Sequence, residues 1–363
     1  MSAVLIGNTP LLPLSALNKH FGVTVLGKAE YLNPGGSVKD RAAASLLDHY
    51  EASGQLLPGG LVCEGTGGNT GIALAMLCGW RGYKCYVSMP DTVSSEKIST
   101  MRALGATVEV CPSTVGVSDP AHYTSRARAV AASTPGAVHT DQFGSLANMR
   151  AHETGTGPEI LAACPGGLDG FACAAGTGGT IAGVASFLAA ASPSTQICLV
   201  DPQGSGLKSY LASGTFSKAG HECGKGDTLT EGIGIGRLTA NFAAGGPHVR
   251  AALSASDLEA FRACFLLARG GVFVGPSAAL NVVGALKLAL RLKRGGVDNP
   301  KVATILCDGG ASYLSKIYSA EWREERGLAG VEQCGWGDVL EDEEGGYVER
   351  AGDAVFAGHE GGS

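Results

Sequence analysis

Residues 61–80, LVCEGTGGNTGIALAMLCGW, decide the fold. The stretch begins with an apolar run, LVCE, that is typical of a buried strand. It then passes through a glycine-rich turn and continues with helical spacing from Asn69 to Trp80. Apolar runs predict further strands at 84–89, 107–111, 170–175, 196–201 and 302–307, and helical patterns occupy 95–104, the residues after Thr180, 258–268, 277–292 and the residues after 307. Strands and helices that alternate at this spacing form parallel sheets with ligand loops at the strand carboxyl ends, so the sequence predicts an α/β protein with two sheets.

A second glycine-rich loop, GTGGT at residues 176–180, also lies between a predicted strand and a predicted helix. Glycines at such a turn allow backbone N–H groups to approach an anion at the start of the helix. Neither loop has the dinucleotide-binding pattern, because its third glycine would fall at Thr70 or Ile181, and neither has the Lys and Ser/Thr of a nucleotide P-loop. Each loop alone is also compatible with an ordinary tight turn. Two near-copies of such a loop in one chain favour a phosphate-binding site, and their patterns indicate that the phosphate is not that of a nucleotide.

The third informative stretch is NPGGSVKDRAA, residues 33–43. Asn-Pro-Gly-Gly predicts a turn, and Ser37 is suited to cap a helix that begins near Val38. Lys39 then falls in the first helical turn, where a cation is electrostatically unfavourable and a neutral amine is favoured. A neutral amine attacks an aldehyde to form a Schiff base, although a single lysine is also compatible with a solvated surface position. An amine nucleophile and a glycine-rich phosphate loop together indicate pyridoxal phosphate, with its aldehyde on Lys39 and its phosphate on residues 176–180.

Composition and charge exclude several other classes of protein. The 363-residue chain has a net charge of −6, and residues 326–363 carry nine acids and two arginines, so the rest is nearly neutral and has no basic stripe for nucleic acid. The acidic tail is expected to be extended or disordered. Eleven cysteines without a CxxC pair favour buried, reduced thiols in a cytoplasmic protein and no metal site. Residues 170–200 are uncharged, but the polar loop and Pro193 within them indicate a strand, a loop and a helix rather than a membrane span.

Eight motifs in order resemble those of the pyridoxal-phosphate enzymes of the cysteine synthase and cystathionine β-synthase family, most closely its fungal and algal cysteine-synthase-like branch. They are IGNTPLLPL (6–14), NPGGSVKDRAA (33–43), EGTGGNTGIALA (64–75), DQFGSLAN (141–148), GTGPEI (155–160), GTGGTIAG (176–183), TEGIGIGRL (230–238) and GVFVGPSAALN (271–281). The resemblance covers roughly residues 3–325 and implies the tryptophan-synthase-β fold, fold type II. It implies two three-layer α/β/α domains with mostly parallel sheets. The expected division is a segment at 1–35 that packs with the larger domain, a smaller substrate-binding domain at 36–149, a larger cofactor-binding domain at 150–325 and the acidic tail at 326–363.

The resemblance also implies roles for individual residues. Lys39 is expected to form the Schiff base with pyridoxal phosphate and to act as the acid and base at the substrate α-carbon. Asn69 is expected to bind the ring hydroxyl of the cofactor. The expected phosphate-binding residues are Gly176, Thr177, Gly178, Gly179 and Thr180. Those expected around the substrate are Thr66, Gly67, Gly68, Thr70 and Gln142 at the carboxylate and Gly232 at the amino side.

Two glycines depart from the pattern of the family. Gly67 stands where the family loop, TSGNTG, has a serine. Gly309, in CDGGASYLS at 307–315, is a cofactor-binding position where the resemblance leads us to expect a serine hydroxyl at the pyridine nitrogen. Asp308 beside it is expected to cap the following helix and to point away from the cofactor. The alternative is that Asp308 turns toward the ring.

The favoured function is β-replacement on an O-activated serine through an aminoacrylate, as in cysteine synthases of the O-acetylserine sulfhydrylase type. The partners are an amino-acid substrate and a small nucleophile, and the product is cysteine or a related amino acid. Two alternatives remain open at this point. One is β-elimination, as in serine and threonine dehydratases or cysteine desulfhydrases, and the other is a regulatory or scaffold relative with weakened catalysis. The resemblance further implies a homodimer, and no segment suggests a nucleic-acid or membrane partner.

Overall fold

Eleven strands form two sheets within residues 5–116, 118–216, 228–234 and 236–350, which are the part of the chain that this computed structural model describes. The strands are β1 (Leu11–Pro13), β2 (Thr24–Ala29), β3 (Leu61–Gly65), β4 (Lys84–Pro90), β5 (Thr107–Cys111), β6 (Ala137–His139), β7 (Gly170–Ala174), β8 (Gln196–Pro202), β9 (Ala251–Ala255), β10 (Lys301–Leu306) and β11 (Val348–Glu349). One sheet has the order β1-β2-β10-β7-β8-β9-β11, and the other has the order β5-β4-β3-β6. All neighbours are parallel except the edge pairs β1–β2 and β9–β11.

Thirteen α-helices connect and cover these strands in the described ranges. They are α1 (Ser15–Phe21), α2 (Lys39–Ala52), α3 (Asn69–Arg81), α4 (Ser95–Ala103), α5 (Tyr123–Ser133), α6 (Ala147–Ala151), α7 (Gly157–Ala162), α8 (Gly179–Ala191), α9 (Leu207–Ser213), α10 (Ala240–Gly245), α11 (Asp257–Arg269), α12 (Pro276–Arg294) and α13 (Ala320–Glu324). The strands and helices named in the sequence analysis are thus present within a few residues of their expected ends, except that a short 3₁₀ turn, Gly310–Tyr313, replaces the helix expected after β10.

The seven-stranded sheet is buried on both faces, as alternation along β7 demonstrates. Phe171 and Cys173 belong to one apolar core with residues of α8, whereas Ala172 and Ala174 belong to another with residues of α11 and α12. Successive side chains of a strand point to opposite faces, so the sheet lies between two helical layers. The smaller sheet shares a third core with α2, α3 and α4. The structure therefore confirms the mixed α/β class with two mostly parallel sheets.

The acidic tail departs from its expected disorder. Residues 326–350 contain two 3₁₀ turns and the strand β11, in which Val348 pairs with Ala252 of β9. Val339 is fully buried in the core beside α11 and α12. Arg294, at the end of α12, forms ion pairs with Glu343 and Glu344 at 3.3 and 3.0 Å. Apolar anchors and pairing with basic residues at a helix C-terminus order a segment that its net charge alone suggests is solvated. Residues 1–4 and 351–363 lie outside the described part.

The uncharged stretch 170–200 forms β7, a loop, α8 and most of β8. Among the described helices, none combines the length and apolar character that a membrane crossing requires. The part of the chain that the structure describes contains no group of three or more His, Cys, Asp or Glu side chains arranged to hold a metal ion.

Candidate active site

Loops from both sheets converge at the carboxyl ends of their strands. The loop after β3 leads into α3 at Asn69, and the loop after β7 leads into α8 at Gly179. The first N–H groups of a helix have no partner inside it and carry partial positive charge. Each glycine-rich loop therefore presents the start of a helix that is suited to bind an anion.

The converging loops enclose a cavity of about 230 Å³, and a smaller one of about 30 Å³ adjoins it at α8. Ten of the sequence-derived site residues line the larger cavity: Lys39, Thr66, Gly67, Gly68, Asn69, Thr70, Gln142, Gly176, Thr177 and Gly232. Gly178 and Thr180 line the smaller one. Gly179 and Gly309 line neither of these two cavities. The other side chains at the larger cavity, which the sequence analysis missed, are Val38, Lys97, Tyr123, Phe143, Glu231, Ile233, Ser277, Cys307 and Tyr313.

The loop 176–180 is held in place by protein contacts. Gly178 has φ +82°, and a Cβ there would lie 2.6 Å from Cβ of Phe242, so only glycine fits. A side chain on Gly176 would collide with the carbonyl oxygen of Gly232. The Thr177 hydroxyl accepts a hydrogen bond from Asn148 Nδ2 at 2.9 Å, and Thr239 Oγ1 donates to the Thr177 carbonyl at 2.7 Å. The shape of the loop is therefore fixed by the fold before any anion binds.

His152 supports this loop from behind and was not predicted from the sequence. It lies at the start of a π-helical turn, His152–Thr156, and its Nε2 is 3.2 Å from Thr180 Oγ1. Its Nδ1 is 2.9 Å from Thr156 Oγ1. Burial, together with the charges of Arg41 and Lys39, holds the pKa of His152 well below its usual range. A neutral imidazole thus fixes the orientation of the Thr180 hydroxyl.

Lys39 is the first residue of α2, and its side chain lines both cavities. Its amine makes no hydrogen bond or ion pair with any residue in the described ranges. The Lys39 N–H donates to Ser37 Oγ at 3.2 Å, but Val38 rather than Ser37 occupies the cap position. The Val38 N–H donates to the Cys307 carbonyl at 2.8 Å, which joins the start of α2 to the end of β10. The amine is thus held at the cavity with no competing partner.

A buried ionic cluster lies beneath the turn that leads to Lys39. Arg41 forms two-pronged pairs with Glu30, at 2.7 and 2.9 Å, and with Glu159, at 2.8 and 2.7 Å. Lys28 is also paired with Glu159, at 2.6 Å. Burial alone would raise the pKa of Glu159, but its bonds to Arg41 and Lys28 lower it to about 2. Asn33 donates to Glu30 at 2.8 Å and to the Ser37 carbonyl at 3.1 Å, which ties the cluster to the turn.

Another part of the cavity wall is built by the segments that follow β3 and β6, which are neighbouring strands. Thr70 Oγ1 donates to Gln142 Oε1 at 2.7 Å. Behind them the buried Glu64 accepts from the Gln142 N–H at 3.1 Å and from Thr140 Oγ1 at 2.5 Å. Burial raises the pKa of Glu64 from 4.5 to about 7, although these hydrogen bonds offset part of the effect. Glu64 therefore orients Gln142 and titrates near neutral pH.

Replacing Glu64 with Gln should stabilise the protein at alkaline pH only. Between pH 4.5 and about 7 the folded state keeps a proton that the unfolded state has lost, so this carboxyl lowers stability as the pH rises through that window. Above pH 7 the difference in the free energy of unfolding is roughly 3 kcal/mol. Urea unfolding at pH 8 and at pH 5 measures the difference. Glu325→Gln, at an exposed carboxyl, is the control and should change neither value; an equal effect of Glu64→Gln at both pH values contradicts the expectation.

Gly67 opens the cavity toward the surface. A Cβ on Gly67 would meet no atom within 4 Å. Gly67, Glu231 and Gly232 also line a second cavity of about 530 Å³, which includes Lys316 and Arg326. Gly67, Glu231 and Gly232 thus form part of the wall of both the inner cavity and this outer one.

The structure corrects the expectations at residues 308 and 309. Gly309 forms a backbone bridge with Val274 and does not reach the cavity, whereas the Ser277 hydroxyl near the start of α12 lines it beside Cys307. Asp308 caps no helix, since its Oδ2 accepts hydrogen bonds from Asn69 and Tyr313. Ser277 lies in the motif GVFVGPSAALN. The sequence alone does not show that this residue, rather than residue 309, reaches the cavity, because that depends on tertiary packing.

Pyridoxal phosphate fits these residues. The unpartnered amine of Lys39 faces the cavity, and a pre-formed loop at the start of α8 presents the N–H groups of a helix N-terminus and the Thr180 hydroxyl. Asn69 and Ser277 supply further polar groups at the wall of the cavity. An aldehyde, a phosphate and a polar aromatic ring are the groups that such a set accommodates.

Comparisons with known proteins agree with this fit. A family model described as "Pyridoxal-phosphate dependent enzyme" matches residues 3–308. The chain is 43% identical over 333 residues to cysteine synthase 1 of Neurospora crassa, covering 90% of this chain and 85% of the relative. It is 44% identical over 330 residues to cysteine synthase 1 of Emericella nidulans, covering 89% and 85%. Among solved structures, O-acetylserine dependent cystathionine beta-synthase from Helicobacter pylori is similar at TM-score 0.76 and 32% identity, with 88% of this chain and 98% of that chain covered. O-ureido-L-serine synthase is similar at TM-score 0.76 and 31% identity, with 87% and 93% covered.

Proposed function

The chain belongs to the pyridoxal-phosphate dependent enzyme family, and from this premise we propose that it forms cysteine by β-replacement on an O-activated serine. The activity is that of a cysteine synthase, with pyridoxal phosphate as cofactor and an amino acid and a small nucleophile as substrates. The observation that carries the proposal is the free amine of Lys39 in a cavity that two helix N-termini face.

Lys39 is the proposed catalytic residue. Bound pyridoxal phosphate supplies an aldehyde for this amine and an electron sink for negative charge at the substrate α-carbon. Residues 176–180 would hold the phosphate, and Asn69 would bind the ring hydroxyl. Ser277 would place at the pyridine nitrogen the hydroxyl that the resemblance leads us to expect at residue 309. With the substrate bound, the amine of Lys39 would remove the α-proton, and the activated oxygen would leave the β-carbon with its electron pair. The nucleophile then bonds to the β-carbon and Lys39 returns the proton to the α-carbon.

The start of α3 is the proposed site of the substrate carboxylate. Thr66 and Gly68 belong to the loop that precedes this helix, Thr70 lies in its first turn, and Gln142 is bonded to Thr70. The partial positive charge of the helix N-terminus favours an anion at this position. Gly232, at the opposite wall, faces the amino side of the substrate in this proposal.

The outer cavity of about 530 Å³ is the proposed route for the nucleophile. It shares Gly67, Glu231 and Gly232 with the inner cavity, and a serine at position 67 would place a hydroxyl at this shared wall. Its size admits nucleophiles larger than sulfide, so related β-substituted amino acids are expected as further products.

Product analysis tests the proposal. The purified holoenzyme is incubated with O-acetylserine and sulfide, and then with a panel of thiols and amines in place of sulfide, and the products are identified by mass spectrometry. Cysteine is expected as the main product with sulfide. A keto acid and ammonia as the main products in the presence of sulfide would instead establish β-elimination and overturn the proposal.

Homodimeric assembly and a cytoplasmic location complete the proposal. The first rests on the family resemblance. The second is supported by the cysteines, because the ten in the described residues are all free and eight of them are buried. Buried reduced thiols suit a reducing compartment.

A further inference from the structure

Asp308 is a buried carboxylate at the edge of the proposed cofactor site. It follows β10 and is 2% exposed. Its Oδ2 accepts a hydrogen bond from Asn69 Nδ2 at 2.7 Å and a second from Tyr313 Oη at 2.6 Å. Its Oδ1 is buried and has no hydrogen-bond partner in the described part of the chain. A buried acceptor without a partner costs stability, so the described residues leave the hydrogen-bonding capacity of Asp308 only partly satisfied.

The contact with Asp308 decides how the Asn69 amide is turned. A carboxylate only accepts hydrogen bonds, so the NH₂ group of Asn69, and not its carbonyl oxygen, must face Asp308. That NH₂ group has two hydrogens, and the bond to Asp308 uses one. The second hydrogen remains for a ligand in the cavity that Asn69 lines.

Tyr313 and Lys97 hold Asp308 in this orientation. Burial and the nearby Asp308 raise the pKa of Tyr313 well above its usual value, so its hydroxyl keeps the proton that it donates to Asp308. Lys97 Nζ donates to Tyr313 Oη at 3.2 Å and lies 4.4 Å above the centre of its ring. Lys97 is itself paired with Glu231 at 2.6 Å. Gly275 leaves the space for this arrangement, because a side chain there would collide with Asp308 and with the Tyr313 ring.

We propose that Asp308 is a positioning residue of the cofactor site, which turns the Asn69 amide so that an N–H group faces the ring hydroxyl of pyridoxal phosphate. The inference rests on the role proposed for Asn69. It assigns a function to Asp308, the residue before Gly309. It also explains why a carboxylate with one unpartnered oxygen occupies a buried position. Asp308 acts through Asn69 and does not itself contact the reacting atoms.

A cycle of variants at Asp308 and Asn69 tests the inference, with the dissociation constant of pyridoxal phosphate and the visible absorption band of the bound cofactor as readouts. We expect Asp308→Ala to weaken cofactor binding ten- to a hundredfold and to shift the band. Asp308→Asn should be closer to wild type, because its carbonyl oxygen can accept both hydrogen bonds. In an Asn69→Ala background, Asp308→Ala should change the dissociation constant less than twofold. Asp169→Ala, which removes a half-buried carboxyl bonded to the Lys301 N–H, is the control and should leave the band unchanged.

The outcomes separate this inference from the role of Asn69. If Asn69→Ala binds the cofactor with wild-type affinity and band, the role proposed for Asn69 fails and the inference fails with it. If Asn69→Ala weakens binding but Asp308→Ala does not, or if the effect of Asp308→Ala persists fully without Asn69, only the inference is overturned. Should Asp308→Ala not fold, Tyr313→Phe decides, with Asp308→Asn expected to stay close to wild type: a shifted band in Tyr313→Phe supports the inference, and an unchanged band overturns it.

Discussion

Replacing Lys39 with Ala should lower the rate of cysteine formation at least 10³-fold, because it removes both the amine that binds the cofactor and the group that moves the α-proton. Reduction of the holoenzyme with borohydride, followed by peptide mass spectrometry, should find the cofactor on the peptide that contains Lys39 in the wild type. The same treatment of the variant should leave the chain unlabelled.

A second lysine makes this a sharp test. Lys97 also lines the cavity, but its amine is the cation of an ion pair with Glu231 at 2.6 Å and donates to Tyr313. An amine held in this way is a poor nucleophile, whereas that of Lys39 has no partner among the described residues. Lys19→Ala, at an exposed lysine of α1, is the control and should retain full activity. Label on Lys97 in the wild type, or substantial turnover by the Lys39 variant, would contradict the assignment.

The fold could be predicted from the sequence wherever a local pattern of residues clearly indicates a strand or a helix. Strands β7, β8 and β10 are continuous apolar runs because they are buried on both faces of a parallel sheet, and such runs are visible without tertiary information. The short edge strand β11 has only two residues, and its pairing depends on β9, nearly a hundred residues earlier. Its order also depends on arginines of α12 that compensate the local acidic charge.

The candidate site likewise has residues that could be predicted from local sequence and residues that could not. Its glycine loops and Lys39 were found because the turn and helix-start chemistry is local, and the resemblance supplied the role of Asn69. The partner of Asn69 was not found, since Asp308 is 239 residues away and a preference of Asp for helix caps favoured a different orientation. His152 and Ser277 were missed for the same reason, because nothing in their neighbours in sequence indicates which loop they support.

The glycines of the loop 176–180 also acquire a different explanation. From the sequence alone they are interpreted as a means of letting backbone approach an anion. A side chain at Gly176, Gly178 or Gly179 would collide with Gly232, Phe242 or Asn148. These glycines are therefore required by the packing of protein against protein, which fixes the loop. Gly67 and Gly232 are the ones at the cavity wall where a side chain would meet open space.

Replacing Arg41 with Met should be among the most destabilising single changes in the chain, at about 3–5 kcal/mol. The guanidinium forms two-pronged ion pairs with Glu30 and Glu159, and Glu30 is fully buried. Met fills much of the same volume but leaves the Glu30 carboxylate in the interior without its cation. Urea unfolding of the apoenzyme measures the loss.

The position of Arg41 beneath the Lys39 turn gives this change a second consequence. Glu30 holds Asn33, and Asn33 holds the Ser37 carbonyl two residues before Lys39, so we expect weaker cofactor binding as well as lower stability. Arg126→Met removes a pair with Glu109 that is 42% and 34% exposed, and should cost less than about 1 kcal/mol. A double variant, Arg41→Met with Glu30→Gln, should recover part of the stability, because it removes the uncompensated charge while an amide can still accept from Thr9. If Arg41→Met costs no more than Arg126→Met, the buried cluster does not determine the stability of the turn, and another feature must hold Lys39 at the cavity.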